Sequence, residues 1–304
     1  MYIEDNLIRN EEKMIFLLRS LYSQSGYTGY KMSKFEEYDL YVRNKDFLVS
    51  EGIITFTDTT GKLMALRPDV TLSIVKNSRY VPGTVRKLYY DEKVYRISDK
   101  NDTFSEITQM GLEALGDIDD RCVAEVLQMA LKSLARISKE YVLILSHPGL
   151  IAALLDEMDL SLPDRESMIS FIAGKSRHER EKLAKEKNVS PAVYERLEKL
   201  LSLSGDAVTV LDTLTALLPG EKEQQIIQDL RNTLQMVDRT NIRIDFSVPG
   251  NMRYYSGPVF AGYVRGIPTA VLSGGRYDLL VRRMGKQGGA IGFAVYLDLI
   301  DSGC

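Results

Sequence analysis

Phe104-Ser105-Glu106-Ile107-Thr108-Gln109-Met110-Gly111-Leu112-Glu113-Ala114-Leu115-Gly116 is the stretch on which the fold turns. Ile107, Gln109, Gly111 and Glu113 recur at period two, so a strand here carries the Gln109 amide and the Glu113 carboxylate on one face. The glycine between them leaves room for something to lie flat on the sheet. Just upstream, Leu63 to Leu66 leads into Arg67-Pro68-Asp69-Val70-Thr71, and Leu88-Tyr89-Tyr90-Asp91-Glu92-Lys93-Val94-Tyr95-Arg96-Ile97 supplies further short apolar and aromatic runs.

Working outward, Glu11 to Tyr22 has the apolar spacing of an amphipathic helix. Tyr27 to Phe35 is extended, and Phe35 to Tyr41 begins a helix or turn. Ile53 to Phe56 and Leu63 to Leu66 form a hairpin around Asp58-Thr59-Thr60-Gly61, and Pro68 opens a helix. Val85 to Tyr90, Val94 to Ile97 and Thr103 to Leu115 are expected as a three-strand meander, with a polar loop Ser98 to Asp102 between the last two. A helix over Asp119 to Ile137, a strand over Val142 to Leu145 and a helix opened by Pro148-Gly149 follow. Residues 161–219 are charged and helical, a small insertion beside the main sheet rather than part of it. After a helix over Glu221 to Asp238, strands resume at Ile242 to Phe246, Val259 to Val264 and Thr269 to Leu272, with a hairpin at Gly266. A helix from Leu279 to Met284 and a strand within Gly288 to Asp298 close the chain. The expected class is α+β, a mostly antiparallel sheet flanked by helices. A core of residues 1–160 and 220–304 surrounds the 161–219 insertion.

A chain of 304 residues buries a sizeable core, and 39 basic against 42 acidic residues give a net charge of −3, which argues against a surface built to coat a polyanion. Cys122 and Cys304 are too few for a disulfide framework or a cysteine zinc site. Glu4, Asp5, Glu11 and Glu12 precede any apolar run, and no long apolar stretch follows, so a cytoplasmic protein without a signal peptide is expected. His147 stands at a helix start and His178 in a charged, solvated run. Neither metal nor other cofactor is expected.

Asp69, Gln109 and Glu113 together suit an ammonium group, and Tyr254, Tyr255 and Tyr277 can wall a small planar ring; the set fits a zwitterionic amino acid. The competing arrangement pairs Glu113 with Arg276 and leaves the tyrosines to pack the sheet. Arg67, Arg96 and Arg276 serve either a ligand or as structural forks that hold carboxylates.

Leu66-Arg67-Pro68-Asp69-Val70-Thr71, Tyr95-Arg96, Gln109-Met110-Gly111-Leu112-Glu113, Tyr254-Tyr255-Ser256-Gly257-Pro258-Val259-Phe260, Gly274-Gly275-Arg276-Tyr277-Asp278 and Ala290-Ile291-Gly292-Phe293-Ala294 occur in that order. Together they resemble the catalytic core of histidyl-tRNA synthetase, over about residues 8 to 300. The resemblance implies the class II synthetase fold, dimeric through the first motif. It also implies a histidine pocket made by Asp69, Gln109, Glu113, Tyr255 and Tyr277, with Arg96 at the position of an arginine that clamps the ATP α-phosphate.

The departures point away from adenylation. Gly250 stands where the synthetases carry the arginine that activates the histidine carboxylate, with Arg253 replacing an aspartate nearby. Asp298-Leu299 replaces the closing Glu-Arg of the third motif, and Ser33 replaces the first motif's proline. Losing two cations removes stabilisation from a transition state that gathers phosphoryl charge. The chain also stops where an anticodon-binding domain would begin. This combination resembles the regulatory subunits of ATP phosphoribosyltransferase, a synthetase-like family without catalytic activity of its own. That resemblance implies a short-form catalytic subunit as partner in the first step of histidine biosynthesis. It also implies L-histidine as feedback effector, no tRNA, and dimers within a hetero-octamer of four regulatory and four catalytic chains. The alternative is an enzyme that adenylates histidine.

Overall fold

The long hairpin of β5 (Val85–Ile97) and β6 (Phe104–Gly116) is the spine of the protein, paired in register from Val85↔Gly116 to Ile97↔Phe104. It belongs to a computed structural model that describes residues 8–48, 52–97, 103–247 and 254–301. The expected break between Tyr90 and Val94 does not occur, so the three-strand meander is one two-strand hairpin. Its charged residues are neutralised in place: Asp91 meets Arg19 and Lys31, Glu92 meets Arg67, and Lys93 meets Glu106. Paired charges let a polar triplet stay extended. The expected Ser98 to Asp102 loop lies outside the described residues.

The main sheet runs β1 (Thr28–Gly29), β5, β6, β12 (Gly289–Tyr296), β11 (Leu272–Arg276), β10 (Val259–Val264), β7 (Tyr141–Ser146), β9 (Ile242–Asp245), β8 (Ser204–Asp206). Only β1/β5 and β7/β9 are parallel among the described pairs. The strand expected at Thr269 to Leu272 instead begins at Leu272 and runs on through Gly274 and Gly275. A Cβ at Gly274 would stand 2.4 Å from the Cβ of Phe293, so the glycine is what lets β11 lie against β12.

One face of this sheet is covered by α1 (Asn10–Gln24), α4 (Asp120–Ile137), α5 (Pro148–Glu157) and α10 (Glu221–Gln235). Asp119 caps α4 through the Cys122 amide at 2.8 Å, and Leu127, Ala130 and Leu134 bury completely against the sheet. Cys122 is part of that core. His147 caps α5, its Nδ1 accepting from the Gly149 amide at 3.1 Å; burial holds the imidazole down to about 4 and therefore neutral. His178 is exposed.

Residues 161–219 hold α6 (Leu162–Ala173), α7 (Arg177–Glu186), α8 (Pro191–Ser202) and α9 (Ala207–Leu217). Contrary to a region standing only beside the sheet, they supply its edge strand, β8, paired with β9, and Leu197, Leu200 and Leu214 join the same apolar core as Leu150 and Leu154.

The opposite face carries a second, smaller core under β2 (Phe35–Glu37), β4 (Leu63–Leu66) and β3 (Thr55–Thr57), with α2 (Tyr38–Val42), α3 (Thr71–Asn77) and α11 (Asp278–Arg283). Helix α3 starts at Thr71, not at Pro68. Residues 67 and 68 are held outside the helix because the Arg67 amide donates to the Lys34 carbonyl, the Tyr95 amide to the Arg67 carbonyl, and the Arg96 Nε to the Pro68 carbonyl. Arg67 is fully buried, bonded to Glu92 and to the carbonyls of Lys93 (2.7 Å), Met32 (3.2 Å) and Ser33 (3.1 Å). A short helix, α12 (Leu297–Asp301), follows β12. Among the described residues no helix is long and apolar enough to cross a membrane.

Candidate functional site

Strand alternation and register build a cavity on the face of the second core. Glu113, Gly111 and Gln109 of β6 stand opposite Gly292, Ala294 and Tyr296 of β12; beyond them lie Gly275 and Ser273 of β11, and on the other side Tyr90 of β5. The segment before α3 brings Asp69 and the first residue of that helix brings Thr71, and Tyr254, Tyr255 and Tyr277 complete the walls of a cavity of about 100 Å³. That is room for one small molecule.

The glycines serve the site's own side chains. A Cβ on Gly111 would meet the Tyr90 hydroxyl at 2.5 Å, one on Gly292 would meet the Glu113 carboxylate, and one on Gly275 would meet the Tyr255 ring at 2.7 Å. What lies flat on the sheet at Gly111 is therefore Tyr90.

Glu113 is 2% exposed and accepts hydrogen bonds from the Thr71 hydroxyl at 2.8 Å and from the Tyr277 hydroxyl. Burial pushes its carboxyl up to about 8; the two hydroxyl donors pull it back, and the nearby Asp69 charge adds to the rise. Asp69, which also accepts from the Leu72 amide at 2.8 Å, is raised by burial against the pull of that amide and of Arg96. Burial pushes the hydroxyls of Tyr90, Tyr254 and Tyr277 well above the ordinary phenol range, so they remain donors. Gln109 is 4% exposed, and its side-chain amide faces the cavity without a hydrogen-bond partner among the described residues. Two neighbouring acids, an amide and phenolic donors are a set whose chemistry suits an ammonium group on a small polar molecule.

Asp69, Gln109, Glu113, Tyr255 and Tyr277 all line this cavity, as does Arg96, the one cation among the described lining residues. Arg67 lies behind it as a structural fork. Arg276 is on the other face of the sheet, its Nε 2.9 Å from Asp278, so the competing Glu113–Arg276 pair does not form. Thr71, Tyr90, Ser273 and Tyr296 also line the site and escaped the sequence reading. Tyr296 sits two residues beyond Ala294 at strand spacing, a signal hidden inside an apolar run; Tyr90 was masked the same way.

Gly250 and Arg253 lie outside the described residues. Leu299 packs against the main apolar core, and Asp298 accepts from the Thr108 amide at 2.7 Å. Among the described residues no group of three or more His, Cys, Asp or Glu is arranged to hold a metal ion.

The sequence profile of histidyl-tRNA synthetase matches residues 4–300. The chain belongs to the histidyl-tRNA synthetase family. Within this family it is similar to the ATP phosphoribosyltransferase regulatory subunit of Clostridium kluyveri, 29% identical over 301 residues that cover 93% of this chain and 75% of that protein. The regulatory subunit of Oceanobacillus iheyensis is 27% identical over 282 residues, 90% of this chain and 69% of that one. The fold is that of a solved ATP phosphoribosyltransferase regulatory subunit/histidyl-tRNA synthetase from Bacillus halodurans, with TM-score 0.84, 24% identity, and coverage of 96% of this chain and 78% of that chain. It is likewise the fold of a chain in the ATP phosphoribosyl transferase (HisG:HisZ) complex from Thermotoga maritima, with TM-score 0.72, 20% identity, and coverage of 95% and 97%. The α+β class II synthetase-like architecture expected from the sequence is the one observed.

Proposed function

We infer that this chain is the regulatory subunit of a short-form ATP phosphoribosyltransferase: it activates the catalytic subunit in the first step of histidine biosynthesis and relays feedback by L-histidine. The observation that carries the reading is the acid pair of half-buried Asp69 and buried Glu113 in a cavity with one cation among its described lining residues, in a chain whose third-motif arginine position is an apolar residue packed against the core. Similarity to regulatory subunits over nine-tenths of the chain supports the role. Asp69, Gln109 and Glu113 hold the amine, Tyr255 and Tyr277 the ring, and Arg96 faces the carboxylate. The chain works by coupling rather than by chemistry, as a dimer within a hetero-octamer, in the cytoplasm. Histidine lowers the partner's activity by binding two states of the assembly unequally.

The test is turnover of the catalytic subunit with and without this chain across a histidine titration. Activation that histidine reverses is expected. No activation, together with histidine-dependent exchange of pyrophosphate into ATP, would overturn the reading in favour of the adenylating enzyme.

Binding is also expected to expel a proton. Glu113 at about 8 is mostly protonated at pH 7, and an incoming ammonium favours the charged carboxylate. Affinity therefore rises from pH 7 toward 8 and then levels. Calorimetry at pH 7 in buffers of different ionisation enthalpy is expected to report about one proton released per histidine. No proton release would show that the acid pair is already ionised in the empty cavity.

A further inference from the structure

We propose that Tyr296, pinned by Ser273, is the end wall that fixes how long a ligand the cavity takes, admitting a free amino acid and excluding one extended at its carboxylate. The inference rests on the amino-acid reading of the site and adds what limits it.

The floor of the cavity is graded along β12. Gly292, Ala294 and Tyr296 share one face, so the strand presents two small residues and then a large ring. Ser273 stands opposite Ala294, not opposite Tyr296, yet its hydroxyl lies 2.6 Å from the Tyr296 hydroxyl. The ring therefore leans diagonally from β12 across to β11 and covers the floor beyond Ala294, the reach expected of an aromatic side chain toward a diagonal neighbour. Both residues line the cavity.

The orientation of the ligand follows from charge. The acids Glu113 and Asp69 draw the amine. Arg96, the one cation among the described lining residues, projects from β5 four residues past Glu92, the residue paired with Gln109; Gln109 in turn is paired with Tyr296. The carboxylate thus points toward the end that Tyr296 closes. A group attached there meets a ring held by a hydrogen bond, and displacing it costs both the bond and the packing.

The test compares L-histidine, its methyl ester and its benzyl ester by titration calorimetry on the wild type, Tyr296→Ala and Tyr296→Leu. The benzyl group has the size of the ring that Tyr296→Ala removes, and the methyl ester controls for the lost carboxylate charge. Wild type is expected to bind histidine and to reject the benzyl ester. Tyr296→Ala is expected to raise the ratio of benzyl to methyl ester affinity by about tenfold or more, the gain of burying a phenyl ring. Tyr296→Leu, which keeps apolar bulk but neither ring nor hydroxyl, is expected to raise the same ratio and stands in should the alanine variant not fold. A wild type that binds the benzyl ester as well as the variants do overturns the end wall and leaves the amino-acid site intact. Absence of histidine binding to every protein overturns the reading of the cavity, and the end wall with it.

Discussion

Glu113→Gln is expected to weaken L-histidine binding by about 100-fold, roughly 3 kcal/mol, the worth of a hydrogen bond to a buried charge. The amide keeps the shape of the side chain but has a single acceptor oxygen, so it can accept from Thr71 or from Tyr277 and not from both; the loss combines the negative charge with one of these hydrogen bonds. Activation of the catalytic subunit is expected to survive while inhibition by histidine is lost, because the substitution touches the cavity and not the fold. An unchanged affinity would assign the amine to Asp69 alone. The same variant has a second signature in stability. The folded carboxyl titrates at about 8, above its ordinary value of 4.5, so the folded state keeps a proton that the unfolded chain gives up. Wild-type stability therefore declines as pH rises from about 4.5 to about 8, and Glu113→Gln removes that decline. Thermal melts of both proteins across this window measure the difference directly.

Arg67→Met is expected to cost about 3 kcal/mol, because it removes a buried guanidinium from half-buried Glu92 and leaves that carboxylate, among the described residues, only Lys31 at 3.8 Å and the Met32 amide at 3.4 Å. It also strips donors from the carbonyls of Met32, Ser33 and Lys93, which tie the first-motif segment to the hairpin. In a chain of this size a loss of that magnitude lowers the melting temperature by roughly 5–10 °C. Arg67→Lys is expected to recover little, since a single ammonium cannot replace a planar fork that reaches four acceptors. Melting of Arg67→Lys at the wild-type temperature would show that charge alone, not geometry, holds this junction.

Local pattern made the strand at Phe104 to Gly116 legible, and with it the shared face of Gln109 and Glu113, because side-chain direction in a strand is fixed by a period of two. The helices α4 and α5 were legible for the same kind of reason: Asp119 and Pro148 mark their starts. The charged triplet Asp91-Glu92-Lys93 misled because its partners, Arg19, Lys31, Arg67 and Glu106, come from segments whose approach no local signal announces. Pro68 misled likewise, since the hydrogen bonds that keep Arg67 and Pro68 out of the helix come from Lys34, Tyr95 and Arg96.

By itself the sequence determined the class of fold, the order of the motifs that place the chain among the synthetases, and the residue types that answer an amine. Only tertiary structure decided which of those residues meet. Pairing of β6 with β12, strands far apart in the chain, sets Glu113 over Gly292 and Gln109 beside Tyr296; the alternation of β11 sends Arg276 to the other face. Burial, a property of the assembled core and of no single segment, then raises the carboxyl of Glu113.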